Sequence, residues 1–183
     1  QDDKVFVGGK FHAVTDGYSP KGSFIRLDTH GSIDSSYSPG KLPIDASVFA
    51  ISAKSEGEAI ITGDFPETYV KTTENIARIN TETGQIDDSF RVGAGANGEV
   101  KALIKLSDGN LLVGGEFTRI NGVARLGLAK LNADGEVLEF SSQVEGGSIY
   151  SIVERSDGKI VIGGSFQSVG GNPSLKRIAR LNP

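Results

Sequence analysis

The sequence has no cysteine, no methionine and no tryptophan among its 183 residues. Without cysteine there can be no disulfide, thiolate metal site or cysteine nucleophile, and the lack is compatible with an oxidising compartment. The missing methionine, a start methionine included, fits a processed or excised segment. The polar opening Gln1-Asp2-Asp3 has no signal-peptide character, so any targeting segment is expected to have been removed already. No apolar run approaches the ~18 residues of a membrane-spanning helix, so no membrane span is expected. Basic character is scarce as well. The net charge is −4, the pI is near 5.2, and no cluster of lysine and arginine stands against that balance. A phosphate backbone requires a basic face, so nucleic acid is not expected as a partner. Helical periodicity is missing over any useful length.

Glycine is plentiful. Its 25 copies, beside an apolar fraction of only 37%, indicate many short strands and turns rather than one thick core. One stretch recurs four times. Its fullest form is Asp108-Gly109-Asn110-Leu111-Leu112-Val113-Gly114-Gly115-Glu116-Phe117, a turn, an apolar strand, a glycine pair and an aromatic anchor. The anchors Phe11, Phe65, Phe117 and Phe166 are spaced 54, 52 and 49 residues apart. Repeat units follow at 1–47 (incomplete), 48–99, 100–148 and 149–183 (incomplete).

The unit beginning at Val100 reads as a four-stranded meander. Alternation places Val100, Ala102, Ile104 and Leu106 on one strand face. Ser107-Asp108-Gly109-Asn110 is a tight turn, and Leu111-Leu112-Val113 is a strand covered on both faces. Glu116 to Arg125 is expected as a loop, Leu126 to Leu131 as the third strand and Glu136 to Phe140 as the fourth. The other units align to it, so the chain should hold three, four, four and three strands, fourteen in all.

These residues resemble the delta-60 repeat, a bacterial β-propeller repeat. Ser-Asp-Gly-Lys-Ile-Val-Ile-Gly-Gly-Ser-Phe at 156–166, Ile-Ala-Arg-Leu-Asn at 178–182 and Gly-Gln-Ile-Asp-Asp-Ser-Phe at 84–90 carry the resemblance. It covers essentially the whole chain. Three departures are local: Gly63-Asp64 in place of the glycine pair, Glu56-Gly57 for Asp-Gly, and Leu138 where the last motif has aspartate. The kelch repeat is the nearest competitor, without a blade tryptophan here. The resemblance implies an all-β propeller of four-stranded antiparallel blades, with about three and a half blades in this chain. Propellers close with 4 to 8 blades, so apolar blade faces would be left open. Three arrangements follow: a fragment of a longer propeller, a two-chain ring of about seven blades, or an open array. The first two are favoured.

Few residues invite chemistry. Asp108 and Asp157 sit alone in turns, and Asp34 and Asp87 share one repeated position, which argues for turn geometry over a metal site. Asp2 and Asp3 read as a solvated terminus. The pairs Gly8-Gly9, Gly114-Gly115 and Gly163-Gly164 precede a phenylalanine and another strand, not the helix that a phosphate cradle needs. They let the strand end bend and adjacent blades approach. Phe11, Phe65, Phe117 and Phe166 are blade-packing anchors. His12 and His30 lie apart, and no nucleophile elbow surrounds a serine. Arg26, Arg78, Lys130 and Arg180 occupy one position and suit ion pairs with acidic turns of their own blades. No catalytic residue, metal site or cofactor is assigned.

What differs between units is the loop after the phenylalanine. Such loops share one rim and can diverge freely. Tyr18, Glu67 and Tyr69 are the rim candidates for ligand contact. The expectation is a non-enzymatic binding or scaffolding propeller that offers its rim to a protein or glycan partner. A homodimer or missing blades would complete it. The resemblance implies an exported setting: extracellular, cell-surface or periplasmic. Alternatives are a propeller-based carbohydrate-active enzyme or a purely structural spacer.

Overall fold

A computed structural model describes residues 4–11, 23–37, 46–53, 57–65, 74–90 and 93–182. The described residues form strands and turns, with no helix. In the first unit, β1 (Val5–Gly8) pairs with β2 (Phe24–Leu27). The second is the meander β3 (Ser47–Ala53), β4 (Glu58–Asp64) and β5 (Ile76–Asn80). The third holds β6 (Val100–Lys105), β7 (Leu111–Gly115), the small hairpin β8 (Arg119–Ile120) and β9 (Val123–Ala124), then β10 (Leu128–Leu131) and β11 (Val137–Leu138). A linker strand, β12 (Val144–Glu145), leads to β13 (Ile149–Glu154), β14 (Ile160–Gly164), β15 (Ser168–Val169) and β16 (Ile178–Leu181). All strand pairs are antiparallel, and the third sheet has the full four-strand order β11-β10-β7-β6.

Local chemistry explains these elements. In the β6–β7 turn, the Asp108 carboxylate accepts the Asn110 N–H at 2.9 Å, and the Leu106 N–H reaches the Asn110 carbonyl at 2.8 Å. Downstream of Phe65, Phe117 and Phe166 a left-handed residue bonds back to the phenylalanine. This is Asn75, Gly127 or Arg177, whose N–H donates to the carbonyl of Phe65, Phe117 or Phe166. Phe65, Phe117 and Phe166 are buried, whereas Phe11 is half-buried.

Three apolar cores lie between four successive sheets. Phe24, Val48, Ile61 and Phe65 belong to the first, Ile60, Val100, Val113 and Phe117 to the second, and Leu112, Ile149, Ile162 and Phe166 to the third. The first strands of neighbouring units lie side by side, β3 against β6 and β6 against β13. This is blade-on-blade packing, an all-β propeller arrangement.

Several sequence expectations need correction. Val100, Ala102, Ile104 and Leu106 do not share a face. The register slips between Val100 and Ala102, where Lys101 is an extra residue. Val100 and Leu103 therefore enter the second core, and Ala102, Ile104 and Leu106 the third. The segment expected as a loop from Glu116 to Arg125 contains the β8–β9 hairpin. Asn121 and Gly122 both have positive φ there, 50° and 74°, as a primed two-residue turn demands. The fourth strands of the first two units shrink to single bridges, Leu27 with Ile33 and Ile79 with Ile86. In the third unit only Val137–Leu138 pairs, and its third strand begins at Leu128 instead of Leu126. Finally, Phe65 is preceded by Thr62-Gly63-Asp64, so the departure in the glycine pair lies at Thr62, and Gly63 keeps the second glycine position.

Candidate functional site

The repeated charged residues hold the blades together. Arg26 pairs with Asp34 at 2.8 Å, and Arg78 with Asp87 at 2.7 Å. Each guanidinium also lies over an aromatic ring, Tyr37 at 4.4 Å and Phe90 at 5.2 Å. Each then reaches into the next unit. Arg26 Nη1 donates to the Thr81 carbonyl at 2.7 Å, and Arg78 Nη1 to the Ala133 carbonyl at 3.4 Å. In the third unit Leu138 stands at the aspartate position, and Lys130 turns to Asp108 instead, at 2.8 Å. The Ser36 hydroxyl, with Lys4 and Arg26, outweighs burial and holds Asp34 well below the usual carboxylate range. Burial pushes Asp87 upward, but Ser89 and Arg78 outweigh it and leave the group lowered. Asp108 is brought down to about 2, chiefly by Lys130. These carboxylates bind their own protein.

The surface that varies lies at the start of the first strands. A register shift at one equivalent place in β3, β6 and β13 leaves Phe49, Lys101 and Tyr150 as the extra residues. A bulge re-aims the extra side chain out of the ladder. Phe49 and Tyr150 are accordingly 45% and 55% exposed, well above the buried residues beside them. Lys101 lies between carboxylates, 2.8 Å from Glu99 and 3.5 Å from Glu116, and 5.3 Å from the Tyr150 ring centre. Partial burial works to lower the Lys101 ammonium, but Glu99 and Glu116 outweigh it and hold it above its ordinary value. The Tyr150 hydroxyl donates to Ser165 Oγ at 3.2 Å. Three neighbouring blades thus present an aromatic ring, an ammonium and a phenol at one structural position.

A cleft of about 260 Å³ adjoins this row and shares Glu116 with it. Thr118, Gly127, Glu145, Gly146 and Gly147 also line it. Glu145 accepts the Ser168 hydroxyl at 2.7 Å, which joins the linker to the post-phenylalanine loop of the fourth unit. The combined surface offers ring faces for stacking and both charges for hydrogen bonds to a polar ligand.

Tyr18, Glu67 and Tyr69 lie outside the described residues, as does His12. In the alignment of the units their segments correspond in sequence to 118–125 and 167–176. His30 is exposed, 3.3 Å from the Thr29 hydroxyl. Among the described residues, no three His, Asp or Glu side chains are grouped to hold a metal. Sequence reading missed Phe49, Lys101 and Tyr150. The available signal was that aligned units put unlike residues at a place flanked by repeated apolar ones.

A family model, described as a domain of unknown function (DUF5122) beta-propeller, matches residues 1–37, 106–137 and 155–183, more than half of the chain. The chain belongs to the DUF5122 beta-propeller family. Comparison with curated proteins gives no match. Among solved structures, this DUF5122 chain is similar to the WD40 beta propeller domain of Doa1, with TM-score 0.60 and 13% identity over 98% of this chain and 46% of that one. It is also similar to the extracellular domain of BT4673 from B. thetaiotaomicron, provisionally a one component system. There the TM-score is 0.55, with 11% identity over 99% of this chain and 21% of that one. For streptogramin B lyase the values are 0.50 and 16%, over 87% and 47%. At these identities the likeness shows the propeller fold alone. The chain spans less than half the length of each of these three proteins.

Proposed function

We propose that this DUF5122 chain is a non-enzymatic binding or scaffolding propeller of an exported or cell-surface bacterial protein. Its variable rim engages a protein or glycan partner. One observation carries the reading: Phe49, Lys101 and Tyr150 project from one bulge position in three adjacent blades, each with different chemistry. A spacer has no use for an exposed ring at a place where the surrounding strand is repeated. A sugar ring or a peptide side chain stacks on Tyr150 and Phe49, while Lys101, Glu99 and Glu116 meet its polar groups. The exported setting is supported by the family resemblance and by the extracellular setting of the BT4673 domain. In this reading the chain works within a larger ring, completed by a second copy or by further blades.

The test is affinity electrophoresis against a panel of soluble polysaccharides, with a peptide array in parallel and reducing-end release assayed on the same polysaccharides. The expected result is retention by at least one glycan or peptide, at least tenfold weaker for Tyr150→Ala, without reducing-end release. Tenfold corresponds to about 1.4 kcal/mol, the scale of one aromatic contact. Release of reducing ends would show an enzyme, and unchanged retention by the Tyr150→Ala and Phe49→Ala variants would remove the row from the site.

A further inference from the structure

One repeated position changes its side chain where the cleft lies. Gly9, Gly63 and Gly115 donate their N–H to the carbonyls of Ser23, Asn75 and Gly127, at 2.9, 3.1 and 3.0 Å, so these three residues are equivalent. Ser23 and Asn75 are buried, and each directs its side chain to the linker that leads into the following unit. The Ser23 hydroxyl donates to the Ala46 carbonyl. Asn75 Nδ2 donates to the Ala96 carbonyl at 2.9 Å, and its Oδ1 accepts the Phe65 N–H at 2.8 Å.

Gly127 brings no side chain to this place. Val144 is the counterpart of Ala96, because it pairs with Val169 as Ala96 bridges to Ile120. The Val144 carbonyl lies 3.4 Å from where a methyl on Gly127 would stand, so it faces the position of the missing side chain. The Phe117 N–H is the counterpart of the Phe65 N–H. It forms no hydrogen bond among the described residues, although Phe117 is buried. A buried amide donor without a partner is rare and costly. The linker is also one residue longer here, Glu145-Gly146-Gly147-Ser148 against Asn97-Gly98-Glu99. A methyl on Gly98 or Gly147 would overlap the carbonyl just before its phenylalanine, which aligns these two glycines and leaves Gly146 as the insertion. The cleft of about 260 Å³ opens at this place, with Phe117, Gly127, Val144 and Gly146 in its lining. It takes the place of a carboxamide side chain, and the two groups that such a side chain bonds in the second unit line it.

We propose that the cleft binds the acetamido group of an N-acetylated amino sugar. The proposal rests on the glycan reading of the rim and names its substrate class. The acetamido carbonyl accepts the Phe117 N–H, its N–H donates to the Val144 carbonyl, and its methyl packs against Leu126 and Val144. Whole small-molecule sites start at roughly 300 Å³, so a cleft of this size suits one group of a ligand. The sugar ring stays outside and stacks on Tyr150, whose hydroxyl bonds Ser165 beside Gly147. Its hydroxyls donate to the Glu116 and Glu145 carboxylates at the cleft. An asparagine side chain of a peptide has the same donor and acceptor, but brings no ring for Tyr150 and no methyl for the apolar wall.

The experiment follows the amide NMR signals of the isotope-labelled chain during titration with the trimers of N-acetylglucosamine, glucosamine and glucose. The Phe117 and Gly127 signals should move with the N-acetylglucosamine trimer, which should bind about tenfold or more tighter than the other two. Gly127→Asn refills the cleft from within. Asn75 already holds a φ of 63°, against 64° at Gly127, so this variant should fold, melt no lower than the original and lose the preference. Equal affinities for the three trimers, weakened alike by Tyr150→Ala, overturn the acetamido site and leave the rim reading standing. A preference that survives Gly127→Asn overturns the site as well. So does a Phe117 signal that answers to the peptide Gly-Asn-Gly and not to the N-acetylglucosamine trimer, which would make a peptide side chain the occupant. Failure of all three trimers to bind also overturns it, and if the polysaccharide panel is likewise not retained, the glycan reading falls with it.

Discussion

At the scale of residues, the two glycines ahead of Phe117 have different reasons to be there. A methyl at the second, Gly115, would overlap the Glu99 carbonyl at the bulge of its own blade. A methyl at the first, Gly114, would collide with Ile149 of the next blade. The reason at Gly114 depends on the neighbouring blade, so it can be relaxed: Thr62 holds that position in the second unit and is fully buried. Gly114→Ala should therefore destabilise the chain by about 2 kcal/mol, as overpacking does. Gly163→Ala should leave stability unchanged. Urea denaturation of the two variants compares these effects directly, and equal losses would refute the dependence of this glycine position on the neighbouring blade.

At the scale of elements, ion pairs stand in for the shortened fourth strands. Ile33 and Ile86 each add a single bridge to their sheets, while Asp34 and Asp87 clasp the third-strand arginines. In the third unit β11 pairs over two residues, Leu138 replaces the aspartate, and the clasp moves to Asp108 and Lys130. These carboxylates titrate lower in the folded chain than in the unfolded one. Their stabilisation is thus complete above about pH 4 and is lost as the pH falls through the folded values, about 2 for Asp108. The urea midpoint should fall between pH 4 and pH 2. Asp108→Asn should lower the midpoint at pH 6 and flatten this acid limb; an identical pH profile in the variant would show that the pair contributes nothing.

At the scale of the molecule, three cores between four sheets make a quasi-one-dimensional stack whose stability depends on nearest neighbours. Among the described residues, the third sheet is covered on both faces and the fourth on one. Native-state hydrogen exchange should therefore show β16 amides opening roughly tenfold more often than those of β10. Equal protection would mean that the open face costs the fourth blade nothing.

The sequence by itself determined the repeat, the all-β propeller architecture, the tight turns and the short apolar strands. All of these depend on residues close together in the chain: an Asp-Gly turn, an apolar run, an anchor about every fifty residues. It also suggested the charged pairs, because Arg26 and Asp34, and Arg78 and Asp87, recur at fixed offsets. Only the tertiary structure decided which first-strand residues face solvent. A bulge sets two residues against one on the partner strand, so strict alternation fails at Lys101 and the faces of Leu103 and Ile104 exchange. Tertiary packing likewise decided that Gly114 lies beneath Ile149 whereas Gly163 has no such side chain over it among the described residues. Residues 114 and 163 carry the same local sequence signal, and they differ only in what stands across the interface between blades.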